Sequence, residues 1–346
     1  MKKFLFIIIT ITSFIPFAIN KKDYKDITKI IYVSSIGIDY DLETKEYNLH
    51  FYILNYLNLT NAKISSSNID DLAYTMKTSS TDFYKAFTDI ESFTNVNVSM
   101  SHLKTVILTN NFINKNNLLI FYNLIRANQK IYPNFYLFTT SSKLDDIFNI
   151  KNFSDVSAYH TLLVSPTTIY QKQLISFNVF TNIILFDNYT ILIPNLKLNK
   201  DILSKQDQNF YTLKVNGCSY LDSTFKLVTY TSDEFLYQRW LFKLEDIYFK
   251  IKDYDIYLKS GKYNVKFKNN KYIIKYKLSA VLTLNPYNEK VIDIEKKLTE
   301  CIKKEIYLMI LKLYDKEIDA YNLKYKYKLL KINIEDIQIE VKLGLN

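Results

Sequence analysis

Glycine occurs only four times in 346 residues, at positions 37, 217, 261 and 344. No G-x-S-x-G nucleophile elbow and no glycine-rich phosphate loop can be written with glycines so placed, so the usual forms of covalent-serine and nucleotide chemistry are excluded. Histidine is almost as scarce. His50, His102 and His160 stand singly, with no second metal-type side chain at helical or turn spacing, and so read as structural residues rather than ligands. Arginine appears only as Arg126 and Arg239, so the formal charge of +10 is carried almost wholly by lysine. A basic chain without the guanidinium fork is poorly equipped to read nucleic acid, and the charge fits a diffuse lysine coat beside an anionic surface better. The two cysteines, Cys218 and Cys301, have no short spacing between them. They can pair in an exported protein, but Cys301 falls on or beside the apolar stripe of an expected helix, where a buried thiol is the commoner outcome.

Long apolar runs are also lacking, with one exception. Lys2 and Lys3 precede an uncharged run from Phe4 to Ile19, the layout of a secretory leader. The run is short for a bilayer-spanning helix and contains Pro16. The stretch "FIPFAINKKDYKDI" that ends it offers only Ala18 as a small residue for cleavage, so signal peptide and uncleaved anchor both stay open. The rest of the chain is rich in apolar and aromatic residues, 48% by the broad count, which argues for packed cores and against disorder.

Along that remainder, "IIYVSSIGIDYDLETKEYNLHFYIL" reads as a hairpin turning near residues 41–45. Phe83, Phe87 and Ile90 share a helical face, with residues 79–81 as the expected N-cap. "LKTVILT" reads as a buried strand, followed by a helix through Leu118, Phe121 and Leu124, the strand "NFYLFTT" and the helix "SKLDDIFNI". This alternation predicts an α/β layer with at least one parallel crossover. A helix over residues 168–177 and a strand in "YTILIPNLKL" follow, and the polar "NKDILSKQDQN" at 199–209 reads as a linker.

Beyond it come two strands in "YTLKVNGCSYLDSTFKLVTYT" and a helix opened by a Thr231–Glu234 capping box. Three β-rich runs follow, "DIYFKIKDYDIYL", "KYNVKFK" and "KYIIKYKLSAVLTLN", the last two joined by a tight turn at Asn269–Asn270. The third puts Ile274, Tyr276, Leu278, Ala280, Leu282 and Leu284 on one face, so its sheet is covered on one side. A long helix from Val291 to Asp319 carries the stripe Ile294, Leu298, Ile302, Met309 and Leu313, and "LLKINIEDIQIEVKLGL" reads as a closing strand. The expected architecture is α+β or mixed α/β and multi-domain: N-terminal α/β layers, then an antiparallel sheet packed on one long helix. The expected division is residues 1–20 as leader or anchor, 21–200 as an α/β region with room for two subdomains, and 201–346 as an α+β domain.

Candidate chemistry is thin. Asp70–Asp71 suits a helix N-terminus and Asp145–Asp146 a solvated helix face, which leaves little for an acid/base pair to explain. The 30 tyrosines mostly alternate with lysine in strands, a pattern of amphipathic packing. No catalytic, cofactor-binding or metal-binding residue is assigned.

Several stretches nonetheless fall in a familiar order. "KDITKIIYVSSIGIDYD" brings an apolar run into Gly37, Ile38 and Asp39. "MSHLKTVILTNNFINKNNLLIFYNLIRANQKIYPNFYLFTT" contains a His-Leu-Lys strand opening at His102, a helix ending at Arg126, and Pro133–Asn134 before the next strand. "VNGCSYLDSTFKLVTYTSDEFLYQRWL" places Gly217 before a hairpin and Glu234 to Trp240 on a helix. In order and spacing the chain resembles the C subunit of bacterial spore nutrient-germinant receptors, the Ger(x)C family, over nearly its whole length. Two departures stand out. Members typically carry a lipid-bearing cysteine where Lys21 aligns here, and no cysteine precedes Cys218. A glycine-containing motif near the end of the long helix is replaced by "DAYNL".

The resemblance implies a non-enzymatic subunit without cofactors. It would be exported, held at the outer face of the spore inner membrane, and assembled with two integral-membrane subunits of the A and B types and with the membrane surface. Nucleic acid has no part in it. The alternative is an exported adhesin or substrate-binding protein. On local grounds Gly37 and Asp39 read as a strand-end turn with glycine at positive φ, and Arg126 equally as a helix C-terminal cap.

Overall fold

The computed structural model describes residues 30–54, 73–94, 97–149, 175–205, 208–230, 241, 247–329 and 331–345. The leader, the region around Asp70–Asp71, His160, the helix expected over 168–177 in its greater part, and the stretch expected to form a helix with Glu234 and Trp240 lie outside the described residues. Among the described residues no helix is long and apolar enough to cross a membrane.

The chain opens with β1 (Ile30–Tyr40) and β2 (Tyr47–Leu54), then β3 (Ala73–Ser80), α1 (Phe83–Thr94), β4 (Asn97–Ser99), β5 (Thr105–Thr109), α2 (Lys115–Ala127), β6 (Tyr136–Thr140) and α3 (Leu144–Phe148). Next come β7 (Ile175–Ser176), the short helices α4 (Phe177–Phe180) and α5 (Asn182–Leu185), β8 (Thr190–Lys205), β9 (Gln208–Asp222) and β10 (Leu227–Tyr230). Strands to this point form one mixed sheet in the order β10-β9-β8-β6-β5-β1-β2-β3, with β4 beside β1 and β7 beside β6. The pairings β1–β5, β5–β6 and β6–β8 are parallel, as the strand–helix–strand alternation predicts.

Both faces of this sheet are covered. On one, α1, α2 and α4 close a phenylalanine-rich core containing Phe51, Phe83, Phe112, Phe121, Phe135, Phe177 and Phe180. On the other, α3 packs Leu144, Ile147 and Phe148 against Ile107, Phe138, Leu196 and Val215. The β1–β2 turn is held by Asp41, whose carboxylate accepts from the Glu43 and Thr44 amides; these bonds hold its pKa below the ordinary value. Helix α1 is capped by Asp82, which accepts from the Lys85 amide at 2.7 Å, and not by residues 79–81. The first turn starts where an oxygen reaches an orphan amide, which places the cap one residue later.

A second sheet has the order β11 (Ile247–Ile251), β12 (Tyr254–Lys268), β13 (Lys271–Leu284), β14 (Ile337–Leu345). Asn269 and Asn270 both have positive φ, 51° and 58°, the backbone of the tight hairpin turn expected there. The strand boundary before it lies elsewhere than the sequence suggests. Lys252, at φ 55°, turns the chain between β11 and β12, while Ser260–Gly261 is carried through β12 by a bulge after Leu258. The first three strands are antiparallel and β14 is parallel to β13, because α6 (Val291–Tyr314) carries the chain back across the sheet before it re-enters.

All five stripe residues of α6 are buried, with Ile306 and Ile310 beside them. The helix stops at Tyr314, short of the expected Asp319, where Glu317 turns to φ 63° and the Ile318 amide bonds the Leu313 carbonyl at 2.9 Å. A short helix, α7 (Leu323–Tyr327), precedes β14, which begins at Ile337 after a turn of 3-10 helix.

The described residues of the 199–209 stretch are strand and not linker. Residues 199–205 and 208–209 belong to the paired ends of β8 and β9, with Lys200 opposite Tyr211 and Ser204 opposite Asn209. A long hairpin gives a polar stretch backbone partners that composition does not reveal. The reverse face of that hairpin, through Cys218 and Tyr220, joins the second core together with Tyr230 of β10. The two sheets therefore share one buried seam. Cys218 is buried there, while Cys301 is half-buried on α6; each remains a thiol, and the Cys301 side chain is less enclosed than its place in the sequence suggests.

Candidate functional site

Gly37 lies in the middle of β1, paired with His50 on β2 and Ile107 on β5, and not in a strand-end turn. Its φ is not the reason for glycine. A Cβ built there would stand 2.6 Å from Phe148 Cε2 and 3.1 Å from Leu144 Cδ1, so the missing side chain is the space into which α3 settles. Ile38, next along, is buried in the opposite core. Asp39 accepts a short hydrogen bond from the Thr109 hydroxyl on β5. The Gly-Ile-Asp motif thus ties β1 to α3, to the main core and to its parallel neighbour by three successive residues.

His50 sits on the α3 side of the same sheet, with its ring 5.5 Å from that of Phe148. Its Nδ1 is 3.7 Å from Asp145, outside hydrogen-bond reach, while Lys77 meets Asp145 at 3.2 Å. Burial above all holds the imidazole below its ordinary pKa; Asp145 and Asp39 pull it back up and Lys77 adds to the depression. A neutral imidazole between the Phe148 ring and a carboxylate already held by lysine serves here as a packing group.

The other marked positions are placed in the same way. His102 meets Tyr32 edge-on with ring centroids 4.8 Å apart. Arg126 does not cap its helix: its Nη1 donates to the Tyr122 hydroxyl one turn back, at 2.8 Å, and the cap bond to the Leu124 carbonyl comes from the Asn128 amide. Gly217 has φ 95° at the irregularity where β9 slips register against β8 between Pro194 and Leu196, and here glycine does serve the backbone. The structure brings Gly37, Ile38 and Asp39 together as one packing unit and leaves His102, Arg126 and Gly217 apart from it and from one another. Among the described residues no group of His, Cys, Asp and Glu is arranged to hold a metal ion.

Sequence reasoning missed the seam between the sheets. Asn322, in the left-handed region at φ 53°, accepts from the Thr190 amide at 2.6 Å and donates to the Thr190 carbonyl at 3.0 Å, clamping the start of β8 to the loop before α7. Lys226 reaches Glu317 at 3.0 Å across the same seam. Within it the Tyr276 and Tyr321 hydroxyls bond each other at 2.8 Å, and burial raises both far above the ordinary phenol pKa. The Tyr220 hydroxyl is buried against the Cys218 thiol. Asparagine tolerates positive φ, and that was the one available sequence signal for Asn322.

These features define a multi-domain mixed α/β protein whose marked positions hold sheets, helices and cores together. The profile of the spore germination protein N-terminal domain matches residues 23–198, which takes in β1 through most of β8. The chain belongs to this family of spore germination proteins, as the resemblance to the Ger(x)C subunits implied. Its structure is similar to the crystal structure of the GerBC protein, with a TM-score of 0.46 and 17% sequence identity over 93% of this chain and 99% of that one. None of the curated proteins matches the sequence.

Proposed function

We propose that this protein is the C-type subunit of a nutrient-germinant receptor and acts in spore germination without catalysing a reaction. The observation that carries the reading is the family match across residues 23–198, joined to the motifs that continue in order beyond it, from Gly217 to the closing strand. The roles found for Gly37, Ile38, Asp39, His102 and Arg126 support it, since each is engaged in packing or in a local hydrogen bond. On this reading the protein is exported, lies on the outer face of the spore inner membrane, and assembles with two integral-membrane subunits of the A and B types. Lys21 in place of the lipid-bearing cysteine makes the leader, or the partner subunits, the means of attachment.

Deleting the gene tests the reading. Germination in a particular nutrient should slow while growth and spore yield stay unchanged, and a tagged chain recovered from spore membranes should bring polytopic membrane proteins with it. An unaltered response across nutrients, or recovery of the chain from growing cytosol without such partners, overturns it. Mass spectrometry of the mature N-terminus would decide whether residues 1–18 remain and hence which attachment operates.

A further inference from the structure

The outward face of the second sheet carries three lysines in one rank. Lys262 on β12 is paired with Lys277 on β13, and Lys277 with Lys342 on β14, so their Cα atoms follow one line across three adjacent strands. Strands lie about 4.8 Å apart, which brings three ammonium groups on flexible stems within reach of a single anion. Like charges set directly opposite destabilise a sheet, and here the arrangement is repeated. Among the described residues none of the three has an ion-pair partner. Glu340, one rank away on the same face, is taken by Lys275 at 2.8 Å.

Beside this rank the sheet is hollow. Ser260, Gly261, Lys262, Lys277, Ser279, Lys342 and Gly344 line a cavity of about 650 Å³, within the range of small-molecule sites. Of the two glycines at this depression, Gly261 shares the register of buried Leu278 and lines it with backbone alone, while Gly344 stands on the outward face beside Ser279. The bulge after Leu258 turns β12 at its rim. Gly344 has no backbone reason to be glycine: it is not in the left-handed region, and a Cβ there would meet only the Leu278 carbonyl oxygen, at an ordinary 3.9 Å. A mid-strand glycine with open space above it costs strand stability and gains only room.

We infer that this lysine-lined cavity binds a small soluble dianion of the phosphate-ester class. Three point charges without an arginine fork favour a multiply charged, roughly spherical group over a planar carboxylate. The hydroxyls of Ser260 and Ser279 supply further donors at the wall, and the hollow beside the rank receives the uncharged part of the molecule. The site is independent of the receptor reading and survives or fails apart from it.

The test uses the full-length chain and inorganic phosphate, followed by phosphorus NMR line broadening at constant ionic strength. Lys277→Gln should weaken binding by about tenfold or more, the scale of one charge-assisted hydrogen bond, with the thermal midpoint retained. Gly344→Val, which fills the hollow without removing charge, should leave inorganic phosphate bound as in the parent and weaken phenyl phosphate, added as a second probe, by about tenfold. A control with Lys303 and Lys304 of α6 changed to glutamine should bind as the parent does. Should Gly344→Val fail to fold, Lys277→Gln against the α6 control decides. Binding unaffected by Lys277→Gln, or weakened equally by the control, overturns the site in favour of diffuse charge. Attachment to anionic phospholipid vesicles but not to free phosphate, lost in Lys277→Gln, overturns it in favour of a membrane-facing surface.

Discussion

Gly37 and Gly344 each sit within a strand, one in each sheet, and the space above them is opposite in kind. Above Gly37 a phenylalanine has moved in so far that a methyl group would meet it at 2.6 Å; above Gly344 there is nothing closer than 3.9 Å. The contrast follows the sheets themselves. The first is covered on both faces, by a phenylalanine-rich core on one and by α3 on the other. Among the described residues the second is covered only on the face that meets α6, and its core is tyrosine-rich, with Tyr220, Tyr254, Tyr272, Tyr276 and Tyr321 buried. A glycine under a packed helix is a fitting; a glycine on an open face is a vacancy in the surface.

The largest expected effect tests whether the one-sided sheet depends on its single cover. Ile302, fully buried at the middle of α6, changed to alanine should cost about 2–5 kcal/mol in denaturant unfolding, because it opens a cavity at the centre of the stripe that covers this sheet. A loss under 1 kcal/mol would mean that the seam rather than α6 holds this sheet. Next is the pair of glycines. Gly37→Ala should cost about 1–3 kcal/mol, since Phe148 is itself buried and its ring has to shift, whereas Gly344→Ala should be neutral or stabilise by up to about 1 kcal/mol. Equal effects would erase the distinction drawn between the two faces.

Asn322→Gly keeps the left-handed backbone but removes both bonds to Thr190, and should cost about 1–2 kcal/mol, read by chemical denaturation. If the two sheets then unfold at separate midpoints, the clamp is what makes them cooperate. The smallest effect concerns pH. The folded pKa of His50 lies below its unfolded value near 6.5, so the unfolded chain takes up the proton first and stability falls as the pH drops below about 6.5. Above that value the contribution is fully present. His50→Gln should flatten that part of the stability–pH profile, and an unchanged slope would show that another group carries it.

Periodicity was the legible part of this chain. The stripe of α6, the turn at Asn269–Asn270, the β1–β2 hairpin and the parallel α/β layer all rest on patterns that repeat within about fifteen residues, where local geometry and solvent exposure leave one solution. The misses share a cause too. The 199–209 hairpin, the run of β12 through Ser260–Gly261, the parallel entry of β14 and the mid-strand place of Gly37 depend on which distant strand or helix lies alongside, and composition is silent about that. Of the marked positions, Gly37 and Asp39 were found as letters in a motif, while the partners that explain them, Phe148 and Thr109, lie about 70 to 110 residues away and carried no signal of their own.

By itself the sequence determined the family, the element types, and the want of glycine and histidine motifs on which common catalysis is built, because these depend on residue identity and short spacing. Only the tertiary structure decided which glycine is filled and which is empty, which asparagine joins the two sheets, and that three lysines far apart in the chain stand in one rank. Those are facts of register and packing. Each is fixed by the burial of the opposite face of a strand, and so by residues the local sequence does not contain.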